Sequence, residues 1–382
     1  MEYALPYILF ICVLGIAAFA HQYAKDDRIK FLIQILCAAL FLFFFGFRGF
    51  CFYDWQNYAP VFFHCTLEQT LQEPLMKWVY EPGFMLLMMF TKSIVNNFHV
   101  FVFLCTCINT LLIFRFLRHR VENIPLGLMI FVCMGGLGLF IDLMRNSIAI
   151  LIFINALEFL EKRRPVPYFL CCTIAMTFHL SAVVYFPMYF FLHRRLNKWV
   201  YLGIFVLGNA ILLLHISVFM NLISLVLEHL SPKLLYKIKV YTTLEGHANF
   251  KISIGYLERL FSGIMVFLYI DKLRAVRKDN DMFINGLMLY FLVYFGFSEF
   301  PTIAMRMSKL FEFGYWILWI DLIKCFHHKN NRRLYIAFLI IYCLLKIHGK
   351  SNNIIARYDN ILFEHQTFEE RFLIFKKSFN EV

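Results

Sequence analysis

In the stretch FFFGFRGFCFYDWQNYAP (Phe43 to Pro60) a long apolar run ends at a charged residue, Arg48, and the next ten residues include Asp54, Trp55 and Tyr58. A strand in the core of a soluble protein does not need these groups at such a point. An apolar run that ends in charged and aromatic residues is typical of a helix that leaves a hydrocarbon core at the membrane surface.

The composition of the whole chain agrees with this interpretation. Of 382 residues, 61% are hydrophobic, 19% are aromatic and only 16% are charged, and the mean hydropathy is +0.66. A soluble domain is about half apolar and about a quarter charged. Apolar runs recur from one end to the other, so we predict one all-α polytopic membrane domain over residues 1–382, with about 10–12 transmembrane or re-entrant helices.

Three sequence features exclude other classes of protein. Leu5 to Ala20 has no basic segment before it and no small-residue cleavage site, and it is predicted to be a retained helix. The eleven cysteines are scattered, mostly within apolar runs, and predict neither disulfides nor a zinc site. The net charge of +12 comes from short basic clusters between apolar runs, which indicates membrane orientation and not nucleic-acid binding.

The basic clusters are expected on the cytoplasmic side, according to the positive-inside rule. They lie at residues 21–30, 115–120, 161–165, 193–198, 271–278 and 324–333. This orientation predicts extracytoplasmic loops at 48–81 and 221–253, a turn at 299–306, and an amphipathic tail at 348–382.

Two segments do not fit the positive-inside rule directly. Residues 82–95 are predicted to be a re-entrant or interfacial helix, and residues 167–192 either one long tilted helix or, as we favour, two short helices that meet near His179.

With this topology, several ionisable residues fall at the extracytoplasmic boundary. Such groups at membrane depth are costly and usually mark a pathway, a pair or a site. Three arginines imply a polyanionic ligand, since the planar guanidinium suits phosphate, and nearby apolar helices suggest that the phosphate is attached to a lipid. A simpler interpretation makes the arginines anchors, the tyrosines and tryptophans an aromatic belt, and the histidine a bonded core residue. The ionisable residues at this boundary are Arg48, Arg145, Arg306, Asp54, Glu81, Glu299 and His179.

Four short motifs, in order, resemble those of the EpsG-like family of exopolysaccharide polymerases, relatives of the Wzy O-antigen polymerases. GFRGFCFYDWQNY is similar to a family motif that reads Gly-Leu-Arg, five residues, Asp-Tyr, two residues, Tyr. EPGF (81–84), MRNSIAI (144–150) and FHLSA (178–182) are similar to three others. The chain departs from the family in having Asn146 in place of a glutamine, Phe50 and Phe52 in place of glycines, and Trp55 in place of a tyrosine.

The resemblance implies a membrane-embedded glycosyltransferase of GT-C-like architecture, in a bacterial cytoplasmic membrane, with its active site on the extracytoplasmic side. It would transfer glycan from undecaprenyl diphosphate to a sugar hydroxyl of the next lipid-linked oligosaccharide, to make exopolysaccharide, capsule or O-antigen. Expected partners are that lipid-linked oligosaccharide, membrane lipids, and a chain-length regulator and flippase of the same pathway. No cofactor or nucleic acid is expected, and the glycosyltransferase is expected to be metal-independent. The use of a nucleotide sugar or ATP is not supported, since the sequence has no Gly-rich phosphate loop.

Roles for individual residues follow from the chemistry that the resemblance implies. The diphosphate would be bound by Arg48, Arg145 and Arg306. Sugar contacts would come from Trp55, Tyr58 and Asn146. The base that removes the acceptor proton would be His179, Asp54 or Glu81, and His179 ranks first because its unperturbed pKa is about 6.5.

Three other functions share some of these features. A ligase that moves finished glycan to another lipid has nearly all of them, and sequence does not separate it from a polymerase. A flippase or other transporter would also bind the diphosphate but would ordinarily show two similar halves, which the sequence lacks. A membrane O-acyltransferase also uses a histidine, but it would leave the three arginines unexplained.

Overall fold

The computed structural model of the chain describes residues 2–216, 253–363 and 365–380. In these ranges 80% of the chain is helical and no β-strand is present. The all-α prediction is therefore confirmed. Residues 221–252 of the predicted loop 221–253 lie outside the described residues.

Among the described residues, five helices are long and apolar enough to cross a membrane. Each has at least 18 residues, and at 1.5 Å per residue that length approaches the roughly 30 Å of a hydrocarbon core. The chain is a multi-pass membrane protein. The five are Leu5–Tyr23, Asp27–Gly46, Phe98–Arg120, Ile124–Ile141 and Lys329–Ser351.

The helices are numbered here in chain order over the described residues. Short π turns follow α2 (Leu42–Gly46) and α7 (Val132–Gly136), and 3-10 turns lie at Leu180–Val184, Lys309–Phe311 and Ile354–Ala356. The helices are α1 Leu5–Tyr23, α2 Asp27–Phe41, α3 Trp55–His64, α4 Leu67–Gln72, α5 Pro82–Ile94, α6 Phe98–Arg120, α7 Ile124–Phe131, α8 Leu137–Ile141, α9 Met144–Glu161, α10 Pro165–Phe178, α11 Tyr185–Phe191, α12 Lys198–Leu213, α13 Ile254–Val276, α14 Asn280–Gly296, α15 Pro301–Ser308, α16 Phe313–Cys325, α17 Lys329–Ser351 and α18 Phe368–Asn380.

The chain forms two compact units. The first comprises Met1–Tyr189 and His328–Val382, and the second comprises Phe190–His327. The polar motifs of the first half of the sequence all belong to the first unit, whereas Arg306 belongs to the second. The assignment of both units to one integral membrane domain stays a prediction.

In the first unit, α9 packs closely against α10 and α6. Apolar residues cover nearly all sides of α9, as expected for a helix with no solvent-facing stripe, and Ile148, Leu151 and Phe153 are fully buried. Its few polar groups are paired across the helix contact: Asn109 Nδ2 of α6 donates to Ser147 Oγ at 2.8 Å. This packing fixes the first turn of α9, which carries Arg145.

The segment around His179 is a helical hairpin. Helix α10 ends at Phe178, His179 is extended (φ −155°, ψ 123°), and a 3-10 turn leads into α11. The two helices lie side by side, since Tyr168 Oη donates to the Tyr185 carbonyl at 2.7 Å and the rings of Tyr168 and Tyr189 are 5.2 Å apart. The prediction of two short helices that meet near His179 is confirmed.

Two other segments differ in detail from what the sequence suggests. Helix α5 has 13 residues, about 20 Å of helix, which is short for a span and agrees with the predicted re-entrant or interfacial helix; its position in the membrane stays a prediction. The predicted turn at 299–306 was too long, because Pro301 begins α15 and Arg306 lies inside this helix. Proline favours the first helical turn, where its missing N–H is not needed.

Candidate functional site

The structure brings together polar side chains from four separate segments of the first unit. We call this set the arginine–histidine cluster. The segments are the start of α3, the residues just before α5, the first turn of α9 and the break after α10. Its members are Asp54, Tyr58, Tyr80, Glu81, Arg145, Asn146, His179 and Ser181.

An ion pair lies at the centre of the cluster. Arg145 Nη1 donates to Glu81 Oε2 at 2.6 Å, with 23% and 19% of the two side chains exposed. The other oxygen of Glu81 accepts the backbone N–H of Leu180 at 3.0 Å. Both carboxylate oxygens are thus in use, and Glu81 joins α9 to the hairpin break.

Gly83 allows helix α5 to lie close to the end of α10. A Cβ atom added to Gly83 would lie 2.5 Å from Thr177 Oγ1 and 3.0 Å from the Thr177 carbonyl oxygen. Both distances are shorter than a Cβ atom ordinarily tolerates, so the absence of a side chain at Gly83 favours the close approach of α5 to the end of α10. The contact places Glu81 within reach of Leu180.

The pKa of the Glu81 carboxyl lies below its usual value. Burial alone would raise this pKa, but the hydrogen bond from the Leu180 N–H and the charges of Arg145 and His179 outweigh burial and lower it. Glu81 is therefore ionised at neutral pH. It is a poor proton acceptor and a good partner for the arginine.

This lowered pKa predicts a pH-dependent stability. The stabilisation from the ionised Glu81 is fully present above the ordinary value of 4.5 and is lost as the pH falls through the lower pKa of the folded protein. We expect Glu81→Gln to lower the unfolding temperature in detergent at pH 7, and the difference from wild type to vanish at acidic pH. The exposed Glu68 in α4 provides the control, Glu68→Gln. A difference that stays constant down to low pH would contradict the role of the ion pair.

Two tyrosines support the Arg145 guanidinium. Its central carbon lies 4.4 Å from the centre of the Tyr80 ring and 5.8 Å from that of Tyr58, within the range of cation–π attraction. Tyr80 Oη donates to the Asn57 carbonyl at 2.7 Å, and Tyr58 Oη donates to Asp54 Oδ2 at 3.3 Å. Burial raises the pKa of Tyr80 to about 12, so this ring stays neutral. Arg145 Nε is buried with no hydrogen-bond partner among the described residues.

The backbone at Asp54 is held by a residue that the sequence analysis missed. Asp142 Oδ1 accepts the N–H of Tyr53 at 2.8 Å and the N–H of Asp54 at 3.2 Å. Asp142 lies between α8 and α9, three residues before Arg145, and so fixes the loop that carries Asp54 relative to the arginine. The available signal was an acidic residue within the apolar run before MRN.

The hydrogen bonds of His179 indicate which ring nitrogen carries the proton. Nδ1 accepts the backbone N–H of Ser181 at 3.3 Å and lies 2.6 Å from Ser181 Oγ. Ser181 Oγ in turn lies 3.5 Å from Asn146 Oδ1. A nitrogen that accepts an N–H presents a lone pair, so the neutral ring carries its proton on Nε2. In this form His179 offers a donor.

Two predicted site residues have their own partners in the first unit. Arg48 is only 4% exposed, and its Nη1 and Nη2 donate to the carbonyls of Phe45 at 2.5 Å and Ile141 at 3.2 Å. These carbonyls lie near the ends of the π turn after α2 and of α8, where helices leave acceptors unpaired. Trp55 is buried, with its ring 5.3 Å from that of Phe368. Their predicted contacts with diphosphate and sugar stay predictions.

The second unit contains the third predicted arginine and another that the sequence analysis missed. Arg306 is exposed on α15. Arg259 of α13 instead packs on aromatic rings: its central carbon lies 3.7 Å from the centre of the Tyr294 ring, and its Nε donates to Tyr290 Oη at 3.0 Å. Arg259 stands within an apolar run, next to Glu258, and neither a motif nor a basic cluster marks it in the sequence.

No group of three or more histidine, cysteine, aspartate or glutamate side chains suited to a metal ion occurs in the ranges that the structure describes. The chemistry of the cluster is instead that of one cation, two carboxylates and one imidazole. The guanidinium and the imidazole can donate hydrogen bonds, and a carboxylate in the same cluster can accept a proton.

Comparison with known proteins identifies a family. A model of the EpsG family matches residues 30–359, which is most of the chain. The matched range includes every member of the arginine–histidine cluster, but helix α18 lies beyond it. No curated protein and no solved structure matches the chain.

Proposed function

The chain belongs to the EpsG family, and from this premise we propose that it joins lipid-linked oligosaccharide repeat units into an exopolysaccharide. Membership implies an exopolysaccharide polymerase-like function. The proposed donor is a glycan on undecaprenyl diphosphate, and the proposed acceptor is a sugar hydroxyl of the next lipid-linked unit. The observation that carries the proposal is the Arg145 guanidinium, which lies over Tyr80 with a carboxylate, Asp54, and an imidazole, His179, in the same cluster.

The reaction forms one bond and breaks another. The acceptor oxygen attacks the anomeric carbon of the donor, and the bond between this carbon and the phosphate oxygen breaks, with its electron pair passing to the diphosphate. The acceptor proton moves to a base. Negative charge grows on the departing diphosphate, and fixed donors that face it lower the barrier. Arg145 and the Nε2–H of His179 are the donors that we assign to this task.

Asp54 is the base that the geometry favours. Glu81 has both oxygens engaged and a lowered pKa, and His179 uses Nδ1 as an acceptor within the chain. Asp54 has a fixed backbone and a carboxylate that accepts from Tyr58 Oη. We therefore place Asp54 ahead of His179, in contrast to the order that unperturbed pKa values favour.

The proposed location is a bacterial cytoplasmic membrane, with the cluster on the extracytoplasmic side. The basic clusters at residues 115–120 and 161–165 support this orientation. They lie at or just beyond the ends of α6 and α9, whereas Arg145 lies in the first turn of α9. The two ends of one helix of this length lie at different depths in the membrane.

Reconstitution tests the proposed function. Purified protein in liposomes is given lipid-linked repeat units extracted from a strain of the source bacterium that lacks this gene, and the glycan products are separated by length. We expect a ladder of polymers that remain on the lipid. Transfer to a different lipid acceptor in place of a ladder would indicate a ligase. Movement of unchanged units across the bilayer would indicate a transporter.

A further inference from the structure

The loop Phe47–Asp54, between the π turn and α3, is bound along its length by residues near the C-terminus. Gly49 N donates to the Asp359 carbonyl at 2.9 Å, Ile361 N to the Phe47 carbonyl at 2.8 Å, and Phe52 N to the Ile355 carbonyl at 2.9 Å. The loop ends at Asp54, the proposed base. Residues about 300 positions later in the chain thus set the path of the backbone that leads into the cluster.

Phe52 gives this loop a strained conformation. Its φ is +61°, in the left-handed region where a bulky side chain is an outlier and glycine or asparagine is accommodated more readily. Both of its backbone groups are bonded, since its N–H donates to Ile355 and its carbonyl accepts Trp55 Nε1 at 3.1 Å. A strained residue persists only where its surroundings hold it. The bond to Ile355 is part of that restraint.

Arg371 of α18 holds the turn that supplies this restraint. The side chain is only 2% exposed. One of its nitrogens, Nη2, lies within hydrogen-bond distance of three carbonyls, those of Ile354 at 3.3 Å, Ile355 at 2.7 Å and Arg357 at 3.0 Å. Bonds from a charged donor are stronger than those between neutral groups. The Ile355 carbonyl therefore bonds both Arg371 and Phe52 N–H.

Aromatic contacts fasten α18 to the same loop. The Phe368 ring lies 5.3 Å from that of Trp55 and 5.7 Å from that of Phe50, and the Phe375 ring lies 6.3 Å from that of Trp55. Helix α18 also lies beyond the residues that the family model matches. The strained loop therefore lies within the residues that the family model matches, whereas α18, the helix that packs on the loop, lies beyond them.

We infer that residues 353–363 and 365–380 form a positioning segment: they hold the loop Phe47–Asp54 in its strained conformation, so that the Asp54 carboxylate stays in the arginine–histidine cluster. The catalytic consequence rests on the proposed function, whereas the restraint on the loop does not. Arg371 acts through Ile355 and Phe52: its guanidinium donates to Gln366 and to the carbonyls of Ile354, Ile355 and Arg357, none of which belongs to the cluster. It is a positioning residue.

A double-mutant cycle tests this inference. Arg371→Ala removes the support, and Phe52→Asn removes the need for it, because asparagine tolerates a positive φ. We expect Arg371→Ala to lower the polymerisation rate about 100-fold, the effect of a small misplacement of a reacting group. Phe52→Asn should recover about tenfold of this loss, the equivalent of the strain at one left-handed residue. Phe52→Val, β-branched and less tolerant of that φ, should recover none.

A second readout does not depend on activity. Arg48 is buried in the same loop, so trypsin should cleave after Arg48 in detergent-purified Arg371→Ala but not in wild type, and Phe52→Asn should restore protection. Arg274→Ala is the matched control, since Arg274 is an arginine of the second unit whose side chain is 8% exposed and donates to the Leu196 carbonyl. Arg371→Lys keeps the cation without the fork, and its polymerisation rate and protection from trypsin should be intermediate between those of wild type and Arg371→Ala. It is the variant to test if Arg371→Ala is poorly expressed.

The outcomes separate the two proposals. Normal polymerisation and normal protection in Arg371→Ala, or defects in both that Phe52→Asn leaves unchanged, would overturn the positioning segment. A wild-type protein that makes no polymer, together with the expected trypsin pattern, would overturn the proposed function and leave the restraint on the loop intact.

Discussion

Arg145→Lys is expected to abolish long polymer while the protein remains in the membrane. Lysine keeps the charge, but it loses the planar fork that places one nitrogen 2.6 Å from Glu81 and the flat face that lies over Tyr80. If Arg145 faces the departing diphosphate, loss of this geometry should cost about 100-fold or more in rate, as loss of a single fixed donor does in other enzymes. The measurement is the length distribution of lipid-linked glycan.

The matched control lies in the same unit. Arg115 of α6 also pairs with groups on α9, donating to Asn155 at 2.8 Å and to Glu158 at 3.1 Å, yet it is near the other end of that helix. Arg115→Lys should leave the polymer nearly unchanged, because partly exposed ion pairs contribute little. Normal chain length in Arg145→Lys would instead identify Arg145 as a membrane anchor.

Sequence was sufficient to find six of the eight members of the cluster, because they stand at or near the ends of apolar runs; Tyr80 and Ser181 were not assigned. Asp54, Glu81, Arg145 and His179 are far apart in the chain, but successive helices that cross or re-enter a membrane bring alternate helix ends back to the same face. The break at His179 was also predictable, since a single span would have placed basic residues on both sides of the membrane. Apolar runs and the charged residues at their ends indicate the depth of a residue along the membrane normal.

These sequence patterns do not indicate the direction in which a side chain points. Arg48 is at the predicted point in the chain, but its guanidinium donates to the carbonyls of Phe45 and Ile141. Trp55 packs against Phe368 of the C-terminal segment. Contacts over such sequence separations leave no periodic signal, and for the same reason the partners of Asp142 and Arg371 could not be assigned from the sequence.

Asp54→Asn is expected to leave single repeat units on the lipid at the extracytoplasmic face. Asparagine keeps the size of the side chain and the backbone bonds to Asp142 Oδ1, but it cannot take the acceptor proton. Loss of a general base costs about 10²- to 10⁴-fold in rate, which is enough to replace long chains with single units. Asp271→Asn, at an exposed carboxylate of the second unit, is the control and should leave chain length unchanged.

Substitutions of His179 distinguish a base from a donor at the same site. If Nε2–H stabilises the diphosphate, glutamine, which carries an N–H in a similar position, should retain more polymerisation than alanine; if His179 is the base, the two should be equally defective. Sidedness is read with a glycosidase added to intact cells. Single units that are protected from it in Asp54→Asn would indicate a failure of transport and end the polymerase hypothesis. Normal polymer in Asp54→Asn, with equal defects in His179→Gln and His179→Ala, would return the role of base to His179, which requires Nδ1 to give up the Ser181 N–H that it accepts in this structure.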